Sequence, residues 1–210
     1  MIVPTEIENY CVHHSEPCST IAKELLEYTR SHIHGHHMLI GELEAAVLTM
    51  LIKMRNVKTV LEFGTFTGFS ALVMAEAIQE NGTVTTIDLN PQTTQVAQTF
   101  WNRSSVGNKI KLILRPGMEA IKELDQKYDL IFIDADKGNY LNYLKWSLEH
   151  VTDHGMIIVD NTLWYGKVLT PGADKQTDSI IAHNQYAFQL QEMKKVLLPI
   201  RDGMYVLYRG

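Results

Sequence analysis

Val60-Leu61-Glu62-Phe63-Gly64-Thr65-Phe66-Thr67-Gly68-Phe69-Ser70 sets the architecture of this chain. A short apolar run enters a turn carrying two glycines, and helical spacing resumes from Ser70 to about Glu80. A buried strand that feeds a helix through such a turn opens a βαβ unit. The pattern then repeats. Strands are expected at Thr83 to Asp88, Ile110 to Leu114, Tyr128 to Asp134 and Gly155 to Asp160, with helices at Pro91 to Trp101, Met118 to Leu124 and Tyr140 to Leu148. Alternation of this kind requires right-handed crossovers, hence parallel strands with helices on both faces.

Upstream, from Thr5 to about Lys53, Ile21, Leu25, Leu26 and Tyr28, and then Leu43, Ala46, Val47, Met50 and Leu51, fall at helical spacing, so two or three helices precede the sheet. Downstream, Thr162 to Thr177 is rich in Gly, Pro and Asp and leads to a helix at about Asp178 to Lys194. The last two strands, Val196 to Ile200 and Met204 to Tyr208, are separated only by Arg201-Asp202-Gly203, and a connection that short joins antiparallel neighbours. The expected fold is α/β, a seven-stranded mostly parallel sheet with an antiparallel last strand.

At 210 residues and 45% hydrophobic content, with no proline-rich or glycine-rich divider, the chain is expected to form a single domain over 1–210. Its net charge of −5 provides no general attraction to phosphate backbones or acidic membranes, so nucleic acid and membrane are not expected partners. No apolar run approaches the roughly 20 residues a bilayer requires. Two cysteines, Cys11 and Cys18, and no apolar leader before them point to a reducing cytoplasm.

In the first turn, Gly64 and Gly68 allow backbone to approach a ligand, while Glu62 would repel a pyrophosphate and the third glycine of a dinucleotide fingerprint is missing. Asp88, twenty-six positions after Glu62, ends the second strand where α/β folds hold an acid against ribose hydroxyls. S-adenosylmethionine, with a sulfonium in place of phosphates, satisfies both acids. A plainer reading makes Glu62 and Asp88 helix-end acids.

The fourth and fifth strands end in Asp134-Ala135-Asp136-Lys137 and Asp160-Asn161. Asp134, Asp160 and Asn161 are oxygen donors without cysteine or histidine, the set preferred by Mg²⁺, Mn²⁺ or Ca²⁺. Lys137, three positions beyond Asp134, is within reach of a substrate held there and suits a base. The plainer reading of Lys137 is a solvated charge after a strand.

Together these segments resemble the cation-dependent O-methyltransferases, and most closely the caffeoyl-CoA O-methyltransferase-like proteins. The resemblance rests on Asp134-Ala-Asp136-Lys137-Gly-Asn-Tyr140, Asp160-Asn161-Thr-Leu-Trp164-Tyr-Gly166, Glu62-x-Gly64-x-x-Thr-Gly68-x-Ser70 and Leu198-Pro199-Ile-Arg-Asp202-Gly203. It extends from about Ile7 to Arg209. It implies a class I S-adenosylmethionine-dependent, Rossmann-like methyltransferase whose N-terminal helices, about 1–56, cover the active site, and a homodimer. By position, Asp134, Asp160 and Asn161 would hold the divalent cation, Mg²⁺ first among the candidates, with a vicinal dihydroxy aromatic chelated there. Lys137, with Asp134, would be catalytic. Glu62, Gly64, Gly68, Ser70, Asp88, Gly117, Met118, Glu119 and Asp134 would meet the cofactor, with Ile40 and Thr65 contributing backbone contacts. Trp164 and Tyr165 would face the acceptor, Trp164 as a wall for a flat ring.

Departures from the plant pattern bear on the acceptor. Tyr165 replaces an asparagine, Ala45-Ala46 replaces Gly-Gln, and the N-terminal lysine associated with the CoA ester has no counterpart. A small catechol-type acceptor is therefore expected. Methylation of a hydroxylated tRNA nucleobase, or a non-catalytic nucleoside-binding module, are the alternatives; the spacing Gly64-x-x-x-Gly68 disfavours an NAD-dependent oxidoreductase. His32, His34, His36 and His37 read as a polar loop near an active-site lid rather than a second metal site, and Trp101 and Trp146 as packing residues.

Overall fold

The computed structural model describes residues 2–210. The seven strands are β1 (Thr59–Phe63), β2 (Thr83–Asp88), β3 (Ile110–Leu114), β4 (Tyr128–Ile133), β5 (Val151–Val159), β6 (Met193–Leu198) and β7 (Met204–Arg209). They form one sheet in the order β3-β2-β1-β4-β5-β7-β6. β7 runs antiparallel to both neighbours, and the remaining pairs are parallel. The expected topology is therefore the observed one.

Side-chain alternation along the strands builds two cores. Val60, Leu130, Phe132 and Ile158 point to one face, which is covered by α2 (Thr20–His32), α3 (Glu42–Arg55), α4 (Phe69–Ala77) and α5 (Pro91–Trp101). Leu61, Ile131, Ile133 and Ile157 point to the other, beneath α6 (Gly117–Ala120), α7 (Tyr140–His150) and α8 (Lys175–Gln189). A strand buried on both sides has no polar face to alternate, which is why residues 130–133 of β4 and 156–159 of β5 read as continuous apolar runs. Each fully buried aliphatic side chain here contributes about 1.5–3 kcal/mol of transfer free energy.

Element ends differ from expectation at three places. β5 starts at Val151, four residues early, because Tyr128 pairs with Val151 across a register irregularity before the regular ladder resumes at Leu130 and Met156. α6 is a single turn that tightens into a 3₁₀ segment, Ile121–Glu123. α8 covers Lys175–Gln189 and stops short of Lys194, since Met193 and Lys194 are taken into β6 by pairing with Arg209 and Tyr208 of β7. Helical spacing in this segment continues into a strand, and sheet pairing overrides it.

Because β1 is flanked by β2 on one side and β4 on the other, the crossovers diverge at the C-terminal ends of β1 and β4, the position where open α/β sheets hold ligands. Gly64 and Asp134 follow these two strands. Asp134 N–H donates to Phe63 O at 2.8 Å, and a Cβ on Gly64 would fall 1.9 Å from Asp134 O. At φ +97°, and with its backbone against Asp134, position 64 accepts only glycine. Among the described residues no helix is long and apolar enough to cross a membrane.

Candidate active site

A cavity of about 660 Å³ opens at this switch point. The turn after β1 contributes Gly64 and Thr65 to its wall, α4 contributes Ser70, the end of β2 contributes Asp88, the turn after β4 contributes Asp134, Asp136 and Lys137, and the segment between α2 and α3 contributes His34, His37, Leu39 and Ile40. Gly117, Asn161, Trp164 and Tyr165 complete the predicted residues that line it. The helical N-terminal part thus forms one wall through its connecting loop, and the histidine cluster sends two members into that wall.

Five predicted residues stand outside the lining. Glu62 is fully buried beneath the turn, where Ser70 Oγ donates to its Oε1 and Thr86 Oγ1 donates to its Oε2 at 2.5 Å. Burial raises its carboxyl to about 8, against the help of these two hydroxyls, so at neutral pH it is mainly the neutral acid. Glu62 therefore shapes the turn from below as an internal brace, behind the lining that a cofactor-facing carboxylate was expected to join. Gly68, at φ +80°, also lies outside the lining. A Cβ there would meet Trp101 at 2.5 Å and Ala97 at 2.6 Å, and Trp101 Nε1 donates to Gly68 O at 3.0 Å, so the glycine serves packing on α5. Met118 packs into the core below α7 and Glu119 is exposed, leaving Gly117 as the member of its segment that reaches the cavity. Asp160 lies 1% exposed behind Asn161.

Asp88 lines the cavity, yet its Oδ2 accepts from Thr65 N–H at 2.9 Å and Phe66 N–H at 2.8 Å, and its Oδ1 from Asn90 N–H at 2.8 Å. Its first task is to hold the glycine turn, with one lone pair of Oδ1 remaining for a ligand hydroxyl.

The polar floor is a connected group. Lys137 Nζ donates to Asp134 Oδ1 at 3.1 Å, to Tyr140 Oη at 2.6 Å and to Asn161 Oδ1, and Asn161 Nδ2 donates to Asp160 Oδ2 at 3.2 Å. Three donations use all three ammonium hydrogens, so the lysine is anchored at a defined point. Asn161, at φ +56°, and then Trp164 and Tyr165 are left-handed, and both rings line the cavity. Tyr165 N–H is held by the Asp202 carboxylate of the β6–β7 turn.

The donor set suits a hard cation. Two carboxylates and an amide oxygen gather at one edge, and Asp160 Oδ1 is buried with no hydrogen-bond donor among the described residues. Burial, then the Glu44 and Asp134 carboxyls, push the Asp160 carboxyl well above the usual range, a crowding of negative charge that a bound cation relieves. Among the described residues no group of three His, Cys, Asp or Glu side chains gathers as a metal cluster; the set here is two aspartates and an asparagine.

Several lining or supporting residues were not legible beforehand. Leu89 is 68% exposed on the cavity wall, and an apolar residue directly after a strand-ending acid was its only signal. Asp136 accepts from Tyr143 Oη at 2.7 Å and from Asn139 Nδ2 at 2.5 Å. Tyr140, within a quoted motif, proves to be the buried anchor of Lys137, its phenol pushed well above its ordinary range by burial and then by Asp134. Glu44 had no motif at all, and Arg201 stood in a quoted motif without an assigned role.

Comparison with known proteins agrees with this geometry. The family model described as O-methyltransferase matches residues 12–210. A Dictyostelium discoideum protein named probable caffeoyl-CoA O-methyltransferase 2 is 35% identical over 208 residues, 96% of this chain and 90% of that one. The Medicago sativa caffeoyl-CoA O-methyltransferase is 33% identical over 200 residues, 89% of this chain and 81% of that protein. The crystal structure of the Bacillus cereus O-methyltransferase in complex with SAH superposes with a TM-score of 0.87 at 20% identity, covering 98% of each chain. The architecture is that of the class I S-adenosylmethionine-dependent methyltransferases, and, with the family model spanning nearly its whole length, this chain belongs to the O-methyltransferase family.

Proposed function

We propose that the protein transfers a methyl group from S-adenosylmethionine to one hydroxyl of a vicinal dihydroxy aromatic molecule, with Asp134, Asp160 and Asn161 holding a divalent cation. The observation that carries this reading is the convergence of Asp134, Lys137 and Asn161 on one cavity floor beside Trp164 and Tyr165, with Asp160 directly behind. When bound, such a cation supplies acidification and orientation of the diol, and the sulfonium supplies the methyl group.

The chain's own part is positioning and proton transfer. Gly64, Thr65, Asp88 and Leu89 line the cavity, where the first two would offer backbone to the amino-acid end of the donor, Asp88 Oδ1 would accept from a ribose hydroxyl, and Leu89 would cover the base. Trp164 and Tyr165 sandwich or edge the aromatic ring and exclude water from the reacting oxygen. Lys137 Nζ, fixed by Tyr140 Oη at 2.6 Å, is the group that would accept the hydroxyl proton, acting as the neutral amine after giving up one of its three ammonium hydrogens. Displacement at the sulfonium is direct and needs no covalent enzyme intermediate.

Tyr165, where the plant pattern has asparagine, favours a small catechol over an extended phosphorylated ester. The deciding experiment is methyl transfer from labelled S-adenosylmethionine to a panel of catechols, caffeoyl-CoA and tRNA, with Mg²⁺ or EDTA. Product from catechols that disappears with EDTA is expected. Equal product in EDTA, or methylation of tRNA alone, overturns the proposal.

A further inference from the structure

Residues 199–203 join β6 to β7 through a turn in which Gly203 N–H donates to Ile200 O at 2.8 Å. Arg201 takes the first central position of that turn at φ +48°, where turns that need a positive φ ordinarily carry Gly, Asn or Asp. An arginine gains nothing from such a backbone, so its contribution lies in the side chain. That side chain is 19% exposed and faces a Glu44 side chain that is 1% exposed. Nη1 donates to Glu44 Oε2 at 3.0 Å and to Leu39 O, and Nη2 donates to His37 O at 2.9 Å. The stem follows the same loop, since a Cβ added to Gly41 would stand 3.7 Å from Arg201 Cδ.

The two carbonyls belong to the segment between α2 and α3, whose His34, His37, Leu39 and Ile40 line the cavity. The same turn holds a second part of the lining. Asp202 O accepts from Leu163 N–H at 2.9 Å and Trp164 N–H at 3.2 Å, Gly203 O accepts from Thr162 N–H at 2.9 Å, and the Asp202 carboxylate accepts from Tyr165 N–H. Two walls that are distant in sequence thus hang from five residues. Leu39 and Ile40 are also seated in the core beneath α2 to α5. Apolar burial of that kind sets depth without direction, whereas a planar fork on two carbonyls and a carboxylate sets register.

We propose that Arg201 is a positioning residue, the side chain that registers the 34–40 wall against the 164–165 wall and so sets the shape of the pocket for donor and acceptor. The inference rests on the S-adenosylmethionine reading of this cavity given above. An ion pair that served stability alone would need only a cation opposite Glu44. Lysine supplies that cation, but its single nitrogen does not stand in for Nη1 and Nη2 at once.

The test compares Arg201→Lys with the wild type by hydrogen–deuterium exchange mass spectrometry and by calorimetry with S-adenosylhomocysteine. Exchange at residues 33–41 is expected to quicken about tenfold or more while β1 and β4 are unchanged, and S-adenosylhomocysteine affinity to fall about tenfold, the size of one lost hydrogen bond to a charged group. Either readout at its wild-type value overturns the inference. So does quickening spread evenly over all segments, which marks an ion pair that serves stability alone. If Arg201→Lys does not fold, Arg201→Met combined with Glu44→Gln, which leaves no buried charge unpaired, is read by the same criterion. Failure of the wild-type protein to bind S-adenosylhomocysteine would instead overturn the donor reading itself, so the two failures are separable.

Discussion

Glu62→Gln tests whether the buried acid beneath the glycine turn is held neutral. In the folded protein the carboxyl is fully buried and raised from 4.5 to about 8, with desolvation as the main cause. Below pH 4.5 it is protonated in both folded and unfolded chains and has no effect on stability. Between 4.5 and 8 the unfolded chain releases the proton and the folded chain keeps it, so stability falls as pH rises; above 8 the loss is complete. Moving a carboxyl across that interval corresponds to about 5 kcal/mol in all, of which about 4 kcal/mol develops between pH 5 and pH 9. Glutamine fills the same volume, still accepts from one hydroxyl and cannot ionise. Its amide must donate to Thr86 Oγ1, which can turn its own hydrogen toward Thr65 Oγ1 at 2.6 Å. Urea unfolding of both proteins, followed by tryptophan fluorescence at steps from pH 5 to pH 9 without S-adenosylmethionine, is the assay. Other buried carboxyls slope the wild-type curve as well, so the readout is the difference between the two proteins. That difference should move in favour of Glu62→Gln by several kcal/mol as pH rises. Parallel curves across the range would refute a neutral Glu62.

Four shorter tests address the site. Lys137→Ala should lose about 10²- to 10⁴-fold in turnover while S-adenosylhomocysteine affinity, by calorimetry, stays near wild type; normal turnover removes the lysine from proton transfer. Asp160→Ala should leave little activity, and that residue of activity should no longer respond to EDTA or added Mg²⁺ in the labelled-methyl assay. Leu89→Ala removes apolar cover from the nucleoside end and should cost about 1–2 kcal/mol, near tenfold in S-adenosylhomocysteine affinity, with little change in melting temperature because the side chain is 68% exposed. Gly64→Ala forces a Cβ to 1.9 Å from Asp134 O at φ +97°, so destabilisation above about 3 kcal/mol is expected in denaturant titration, and a native-like midpoint would show that the β1 and β4 ends part more easily than their geometry indicates.

Period and punctuation in the sequence were enough for the sheet. The runs at 130–133 and 156–159 are apolar throughout because both faces are covered, and the short 199–203 connection admits only an antiparallel last pair. The same one-dimensional text exposed the acids and the lysine of the cavity floor, since strand-ending polar residues of a parallel sheet share one edge. It misjudged where α8 ends, because the pairing of Met193 with Arg209 is a long-range contact that helical spacing does not report.

Direction and burial belong to the tertiary structure alone. Glu62 lies one residue before the end of β1 and Asp134 one residue after the end of β4, so one sits under the turn with two hydroxyl donors and the other faces the cavity, a difference set by the pleat and by what packs on each face. Gly64 and Gly68 look alike in sequence; Asp134 presses on the first and Trp101 on the second. Glu44 and Arg201, separated by 157 positions, pair only when α3 and the β6–β7 turn are brought together, and the crowding of buried carboxyls that raises Asp160 exists only in the folded chain, where water is excluded.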